Sequence, residues 1–222
     1  VIREYYERYN HKDFFFVEIG AYDGIAADPA REFILKYKWK GILIEPIPYI
    51  FETLKKNYEG HQQLIFENIA ISNDDNDRII YYSTPEFQAT VSSKKWPIQR
   101  RMLTAISSFQ QDTWLNVKRS KREIKWFRNE IIPNMVALKV PCMSLQSFFD
   151  KHGIKELDLL QIDTEGFDYE IIKQIDKIRP RLINYENKHL ADKKQKCVQF
   201  LESIGYKITI TGGNTIAERI HK

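Results

Sequence analysis

Short apolar runs that end at a glycine or an acid recur along the chain. Between them lie stretches whose apolar residues return every three or four positions. Phe14–Ile19 is almost wholly apolar, β-prone and closed by Gly20, which is how a strand buried on both faces reads. Gly41–Ile44, Leu64–Asn68, Leu157–Ile162 and Leu182–Tyr185 repeat the pattern. Helical spacing fills the intervals: Pro29–Tyr37 with Asp28 as N-cap, Tyr49–Tyr58, Leu145–His152, Phe167–Ile175 and Asp192–Ile204. Asn73–Asn76 reads as a turn leading into an edge strand at Arg78–Tyr82, and Ala137–Val140 as another strand. Tyr206–Ile210 and Thr215–Glu218 form a closing pair across Gly212-Gly213. Residues 85–134 break the rhythm: no clear strand, and one or two helices within Phe109–Glu130.

Strands alternating with helices predict an α/β fold with a mostly parallel sheet and helices on both faces. Ligands of such sheets sit beyond the carboxyl ends of the strands. The stretches there are Gly20–Gly24, Glu45, Asn68, Asp163–Gly166 and Glu186–His189, and all but Asn68 contain an acid. Acids crowded at one sheet edge repel unless a cation or a hydroxyl-rich ligand lies among them.

Charge sharpens this picture. The chain has 222 residues, 34 Lys+Arg against 30 Asp+Glu, and a net charge of +4. Lys94–Arg128 holds ten bases (Lys94, Lys95, Arg100, Arg101, Lys118, Arg119, Lys121, Arg122, Lys125, Arg128) against Asp112 and Glu123, a surplus of eight. The remainder of the chain is therefore at −4. Apolar residues at 43% exclude a disordered chain. No apolar run approaches the about 20 residues of a membrane span. The opening VIREYYERYN lacks a secretory hydrophobic segment, and Cys142 and Cys197 read as reduced thiols, so a cytoplasmic location is expected.

The strand ends carry the candidate chemistry. Glu18-Ile19-Gly20-Ala21-Tyr22-Asp23-Gly24 is a strand entering a glycine turn, G-x-x-x-G rather than the G-x-G-x-x-G of a pyrophosphate cradle. Taken alone it is also an ordinary strand-to-helix turn. Glu45, 21 positions past Gly24, is placed to accept both ribose hydroxyls of a nucleoside-like cofactor. Asp163-Thr164-Glu165-Gly166 follows a buried strand; helix capping by Asp163 or Thr164 explains one of its acids better than both. Glu186 and His189 are general-base candidates by chemical type.

Together, VEIGAYDG, GILIEPIP, ENIAIS, VPCMSLQSFF, DLLQIDTEGFDYEII and INYENKHL resemble the FkbM family of S-adenosylmethionine-dependent methyltransferases, from about Phe14 to Glu218. The family commonly has Asn where this chain has Tyr22. The resemblance implies a Rossmann-like class I methyltransferase fold, with a seven-stranded, mostly parallel sheet whose last strand is antiparallel. It implies one methyltransferase domain over 1–222, with a basic, helical insertion at about 85–135. It also implies O-methylation of a sugar, glycan or natural-product hydroxyl. Carried over by position, Glu18, Gly20 and Gly24 flank the methionine part of the cofactor, and Ala21, Tyr22 and Asp23 between them are cofactor-binding. Glu45 holds the ribose, Asn68 and Ala70 border the adenine, and Asp163 faces the methionine end.

Under that reading Glu186 or His189 removes the acceptor proton, with Asp163 and Glu165 orienting cofactor or acceptor. Asp163, Glu186 and Asn187 also resemble the oxygen-ligand layout of catechol O-methyltransferase, a divalent-metal variant that is not the favoured one. The basic insertion is expected at the acceptor side, where Ser107, Ser108 and Phe109 touch a hydroxyl-bearing, anionic or carbohydrate acceptor. The alternative for it is a solvated helical surface with aromatics packed inward. A nucleic-acid methyltransferase, using the basic segment with Trp114 and Trp126, is the second enzyme reading. The third is a cofactor-binding module without catalysis.

Overall fold

The structure is a computed structural model describing residues 1–26, 28–92, 107–109 and 120–220. Its strands are β1 (Phe15–Ile19), β2 (Lys40–Ile44), β3 (Leu64–Glu67), β4 (Ala70–Ser72), β5 (Arg78–Tyr82), β6 (Ser107–Ser108), β7 (Val136–Val140), β8 (Cys142–Ser144), β9 (Leu159–Ile162), β10 (Leu182–Glu186), β11 (Tyr206–Thr211) and β12 (Asn214–Arg219). Its α-helices are α1 (Ile2–Tyr9), α2 (Arg31–Tyr37), α3 (Pro48–Asn57), α4 (Pro85–Ser92), α5 (Lys121–Trp126), α6 (Leu145–Lys151), α7 (Asp168–Ile172) and α8 (Lys193–Ser203).

Seven strands form the central sheet in the order β3-β2-β1-β9-β10-β12-β11. The neighbours among β3, β2, β1, β9 and β10 are parallel, and β12 runs antiparallel to both β10 and β11. This is the seven-stranded Rossmann-like class I architecture with an antiparallel last strand, as expected.

Alternation along the strands divides the core. Val17, Ile19, Ile42, Ile44, Leu160, Ile162, Ile183 and Tyr185 face one layer with Phe148, Phe149, Ile171, Ile172, Cys197 and Leu201 of α6, α7 and α8. Phe16, Leu43, Leu159 and Leu182 face the other, with Tyr6 of α1, Phe33 and Ile34 of α2, and Leu54 of α3. Helix α1 was not expected from its polar sequence; Tyr5 and Tyr6 are its buried residues. Trp39 anchors this second layer. Its ring stacks on Phe14 at 3.9 Å, and its Nε1 donates to Asn10 Oδ1 at 2.7 Å.

The register fixes the site. Ile19 pairs with Ile44 and Ile162, Ile44 with Glu67, and Ile162 with Tyr185. The next residue on each strand path is therefore Gly20, Glu45, Asn68, Asp163 or Glu186, and these five form one row along the carboxyl edge.

Two expectations are corrected. Arg78–Tyr82 is not an edge of the central sheet but the middle strand of a separate one, ordered β6-β5-β7. The turn before it redirects the chain, because Asp75 accepts from the Ser144 N–H and the Ser147 hydroxyl. The segment 85–134 does contain strand, since Ser107–Ser108 pairs with β5. A further parallel pair, β4 with β8, joins residues 72 positions apart in sequence (Ala70 with Cys142) and has no local signature.

Within the segment that was expected to be helical, α4 and α5 are helices, continued by a π-turn over Phe127–Ile131. Ser120 and Glu123 close a capping box on α5. Trp126, Phe127 and Ile131 pack against Phe87, Val91 and Met135, so Trp126 points inward. Lys121, Arg122, Lys125 and Arg128 are exposed. Trp114 and the bases Lys94, Lys95, Arg100, Arg101, Lys118 and Arg119 lie outside the described residues. Among the described residues no helix is long and apolar enough to cross a membrane.

Candidate functional site

The glycine turn after β1 is built around close backbone approach. A Cβ on Gly20 (φ +80°) would stand 1.9 Å from the Asp163 carbonyl oxygen. One on Gly24 (φ +67°) would stand 2.4 Å from the Tyr58 ring. Only glycine meets both the positive φ and the crowding. The Gly20 and Ala21 N–H groups both donate to the Ile44 carbonyl, and the Asp163 N–H donates to Ile19. The three strand ends are thus tied to one another.

The first-strand residues play different parts. Glu18 is buried, and its Oε1 accepts from Gln161 Nε2 at 2.5 Å. Gln161 in turn accepts from the Tyr6 hydroxyl at 2.8 Å. Burial, then the charge of Asp28, hold the Glu18 carboxyl well above the usual carboxylate range. Ala21 is buried in the layer of α1, α2 and α3. Asp23 folds back to accept from the Ile25 and Ala26 N–H groups, so its carboxylate shapes the turn. Tyr22, at φ +49°, packs against the cluster of Ile47, Ile50 and Ala70. Asp28 was expected to be the N-cap of α2, but that position is Ala30; the Asp28 carboxylate instead accepts from the Ala30 and Arg31 N–H groups just before and at the helix start, and from the Tyr58 hydroxyl.

Glu45 is buried after β2. Its Oε2 accepts from the Tyr22 N–H at 3.1 Å and its Oε1 from the Ile47 N–H at 2.9 Å. Burial outweighs those two bonds and pushes the carboxyl up to about 7. The Asn68 side chain donates to the Glu45 carbonyl at 2.8 Å, which fixes the ends of β2 and β3 together. Ala70 lies on β4, buried in the same cluster as Ile47.

The densest chemistry follows β9 and β10. Asp163 is solvent-accessible, but dense packing around its carboxyl and the charges of Glu186 and Asp168 raise it well above the ordinary range. Asp168 is buried and accepts from the Thr164 hydroxyl at 3.0 Å and the Gly166 N–H at 3.2 Å. Burial pushes it up to about 7. Neither Asp163 nor Thr164 caps α7, whose N-cap is Phe167. Helix capping therefore does not account for the two acids of Asp-Thr-Glu-Gly.

Glu165, at φ +54°, turns its carboxylate toward β10. His189 Nε2 stands 3.0 Å from Glu165 Oε2 and 3.4 Å from Glu186 Oε2. Lys188 Nζ donates to Glu186 Oε1 at 3.0 Å, and the charges of Glu186, Asp163 and Glu165 raise its ammonium pKa. Asn187 turns away: its amide donates to Thr215 Oγ1 at 2.9 Å. Among the described residues, Glu165, Glu186 and His189 form the group able to share one metal ion, their ligand atoms all within 4.8 Å.

Phe109, just after β6, meets Phe167 edge-on at 4.8 Å and lies beside the Arg78 guanidinium at 6.0 Å. That places one of the three expected acceptor-side residues directly beside the Asp163–Gly166 loop. Ser108 is buried on β6, and for Ser107 only the backbone pairing with Tyr82 is described. Sequence reasoning passed over Asp168, Lys188, Gln161 and Tyr6. Gln161 was hidden inside a buried apolar strand, and Tyr6 in a charged stretch that gave no helix signal. Lys188, between Asn187 and His189, could have been found by its place after a strand.

The model of the Methyltransferase FkbM domain matches residues 18–208. No curated protein matches the chain in sequence. Among solved structures, a methyltransferase FkbM from Methylobacillus flagellatus KT superposes with a TM-score of 0.50 at 10% identity, covering 93% of this chain and 44% of that one. The chain thus spans less than half the length of that relative. The N-terminal domain of human METTL16 gives a TM-score of 0.47 at 13% identity over 100% of this chain and 69% of that one. A ribosomal protein L11 methylase from Lactobacillus delbrueckii subsp. bulgaricus gives 0.42 at 12% over 99% and 77%.

Proposed function

Since the chain belongs to the FkbM family of methyltransferases, we propose that it moves a methyl group from S-adenosylmethionine to a hydroxyl of a sugar, glycan or natural-product acceptor. The observation that carries this reading is the row of strand ends. Glycine backbone and a ribose-suited acid lie on one side of it, and a cluster of carboxylates with a histidine on the other.

The residues fit the cofactor. Glu45 uses one hydrogen bond per carboxylate oxygen on the backbone, which leaves lone pairs for hydroxyl donors. Asp163 offers a carboxylate to an ammonium group. Gly20 lets a ligand approach the backbone closely. The bound cofactor supplies an electrophilic methyl on a sulfonium.

The protein's part is alignment, exclusion of water and removal of one proton. With the cofactor bound, holding the acceptor oxygen in line with that methyl would be the site's main contribution. A hydroxyl is a poor nucleophile at neutral pH and gains from a base within reach. Glu186 and His189 are the candidates: both side chains are about nine-tenths buried, and His189 lies between two glutamates. Asp163 and Glu165 orient the partners.

Single-turnover transfer from labelled cofactor to a panel of glycans and small hydroxyl compounds tests this. Glu186→Gln or His189→Ala is expected to slow transfer by about 10²- to 10⁴-fold. An unchanged rate in both variants removes the base assignment. Absence of a methylated hydroxyl product across the panel removes the reading itself.

A further inference from the structure

We propose that Glu165, Glu186 and His189 bind one divalent transition-metal ion at the carboxyl edge of the central sheet, beyond β9 and β10. Binding as such does not depend on the methyltransferase reading; the catalytic consequence below does.

Three observations converge. First, the geometry: the three side chains present ligand atoms mutually within 4.8 Å. An ion with bonds of about 2.0–2.2 Å holds its ligand atoms up to about 4.4 Å apart, so closing this set around an ion needs only small movements.

Second, Glu186 is buried to nine-tenths, and its Oε2 makes no hydrogen bond, as is also true of Glu165 Oε2. Their nearest polar neighbour is the His189 imidazole, and one ring nitrogen shared between two carboxylates cannot satisfy both fully. Both of these oxygens approach the same point, His189 Nε2.

Third, charge. Asp163, Glu165, Asp168 and Glu186 lie close enough to act on one another electrostatically, with Lys188 as the lysine among them. Four carboxylates around one lysine favour a further cation among them. A divalent ion supplies the missing charge in one step.

The donor set argues for the class of ion. Two carboxylates and one imidazole suit a borderline ion such as Mn²⁺, Fe²⁺ or Zn²⁺ better than Mg²⁺ or Ca²⁺, which prefer oxygen throughout. With the ion in place Glu186 and His189 serve as ligands. An acceptor hydroxyl reaching the ion then has its acidity raised by the metal charge.

The test uses metal-stripped full chain titrated with Mn²⁺, followed by loss of the free-ion electron paramagnetic resonance signal, without S-adenosylmethionine. One equivalent is expected to bind. Glu165→Gln, Glu186→Gln and His189→Gln should each weaken it at least tenfold, with folding checked by circular dichroism. Pulsed spectra of the wild-type complex should show nitrogen coupling from an imidazole, lost in His189→Gln. That signature keeps the test decisive should a glutamate variant not fold. Absence of saturable binding at millimolar Mn²⁺, or one bound equivalent unaffected in all three variants, overturns the site. Full methyl transfer after exhaustive chelation overturns the catalytic consequence alone. Ion binding with no transfer to any hydroxyl acceptor overturns the methyltransferase reading while leaving the site standing.

Discussion

Glu45 shows how one residue couples site and stability. Burial moves its carboxyl from the ordinary 4.5 to about 7. Between those values the folded protein holds a proton that the unfolded chain has shed, so stability falls as pH rises through the interval and levels off above it. The size is on the order of 3 kcal/mol at one residue. Asp168, moved from 3.8 to about 7, acts in the same direction. Urea denaturation at pH 5 and pH 8 should therefore show a smaller difference in Glu45→Gln than in the parent, whatever the absolute offset. An equal difference in both would show that Glu45 does not carry the effect. Gly20 gives a steric counterpart. Gly20→Ala drives a methyl into the Asp163 carbonyl at positive φ. A loss of at least about 2 kcal/mol is expected, together with loss of cofactor binding by calorimetry. A variant that melts and binds like the parent would refute the close-approach argument.

At the scale of elements, α4, α5 and the π-turn hold together through Trp126, Phe127 and Ile131. Trp126→Ala should open a local cavity worth about 3 kcal/mol. Hydrogen exchange should speed up in α4 and α5 and stay unchanged in β1, β9 and β10; uniform acceleration would mean that the insertion is not a separable unit. The elements also show what a sequence can and cannot reveal. The strands of the central sheet were legible because each is short, apolar and punctuated: Phe14–Ile19 by Gly20, Gly41–Ile44 by Glu45-Pro46. Helix α1 was hidden because Tyr5 and Tyr6 are its buried residues amid charges. The pair β4 and β8 was hidden because its partners, Ala70 and Cys142, meet only through the fold. Among site residues, the strand-end acids were legible by position. That Glu165 and His189 face each other was not, since it depends on Glu165 taking a left-handed backbone after β9.

At the scale of the molecule, one run of bases stands apart from the strand-end acids. Lys121, Arg122 and Lys125 of α5 and Arg128 of the π-turn are exposed, while the central sheet carries acids at its strand ends. If the acceptor is anionic, changing these four bases to serine should raise KM several-fold for anionic acceptors at low salt. kcat and the KM for neutral acceptors should stay in place. Equal effects on both acceptor classes would mean that the basic face does not read acceptor charge.

The reversed strand β12 has a consequence for how the chain comes into being. It follows β11 in the chain, yet it sits between β10 and β11. Until Asn214–Arg219 has left the ribosome, β10 presents a bare and wholly buried-type edge, Leu182–Glu186, and β11 has no sheet to join. A nascent chain at that stage already owns the glycine turn, Glu45 and the acid–histidine cluster, but it carries the open edge most prone to wrong pairing. That edge is thus covered only once Asn214–Arg219 has been made and has inserted beside it.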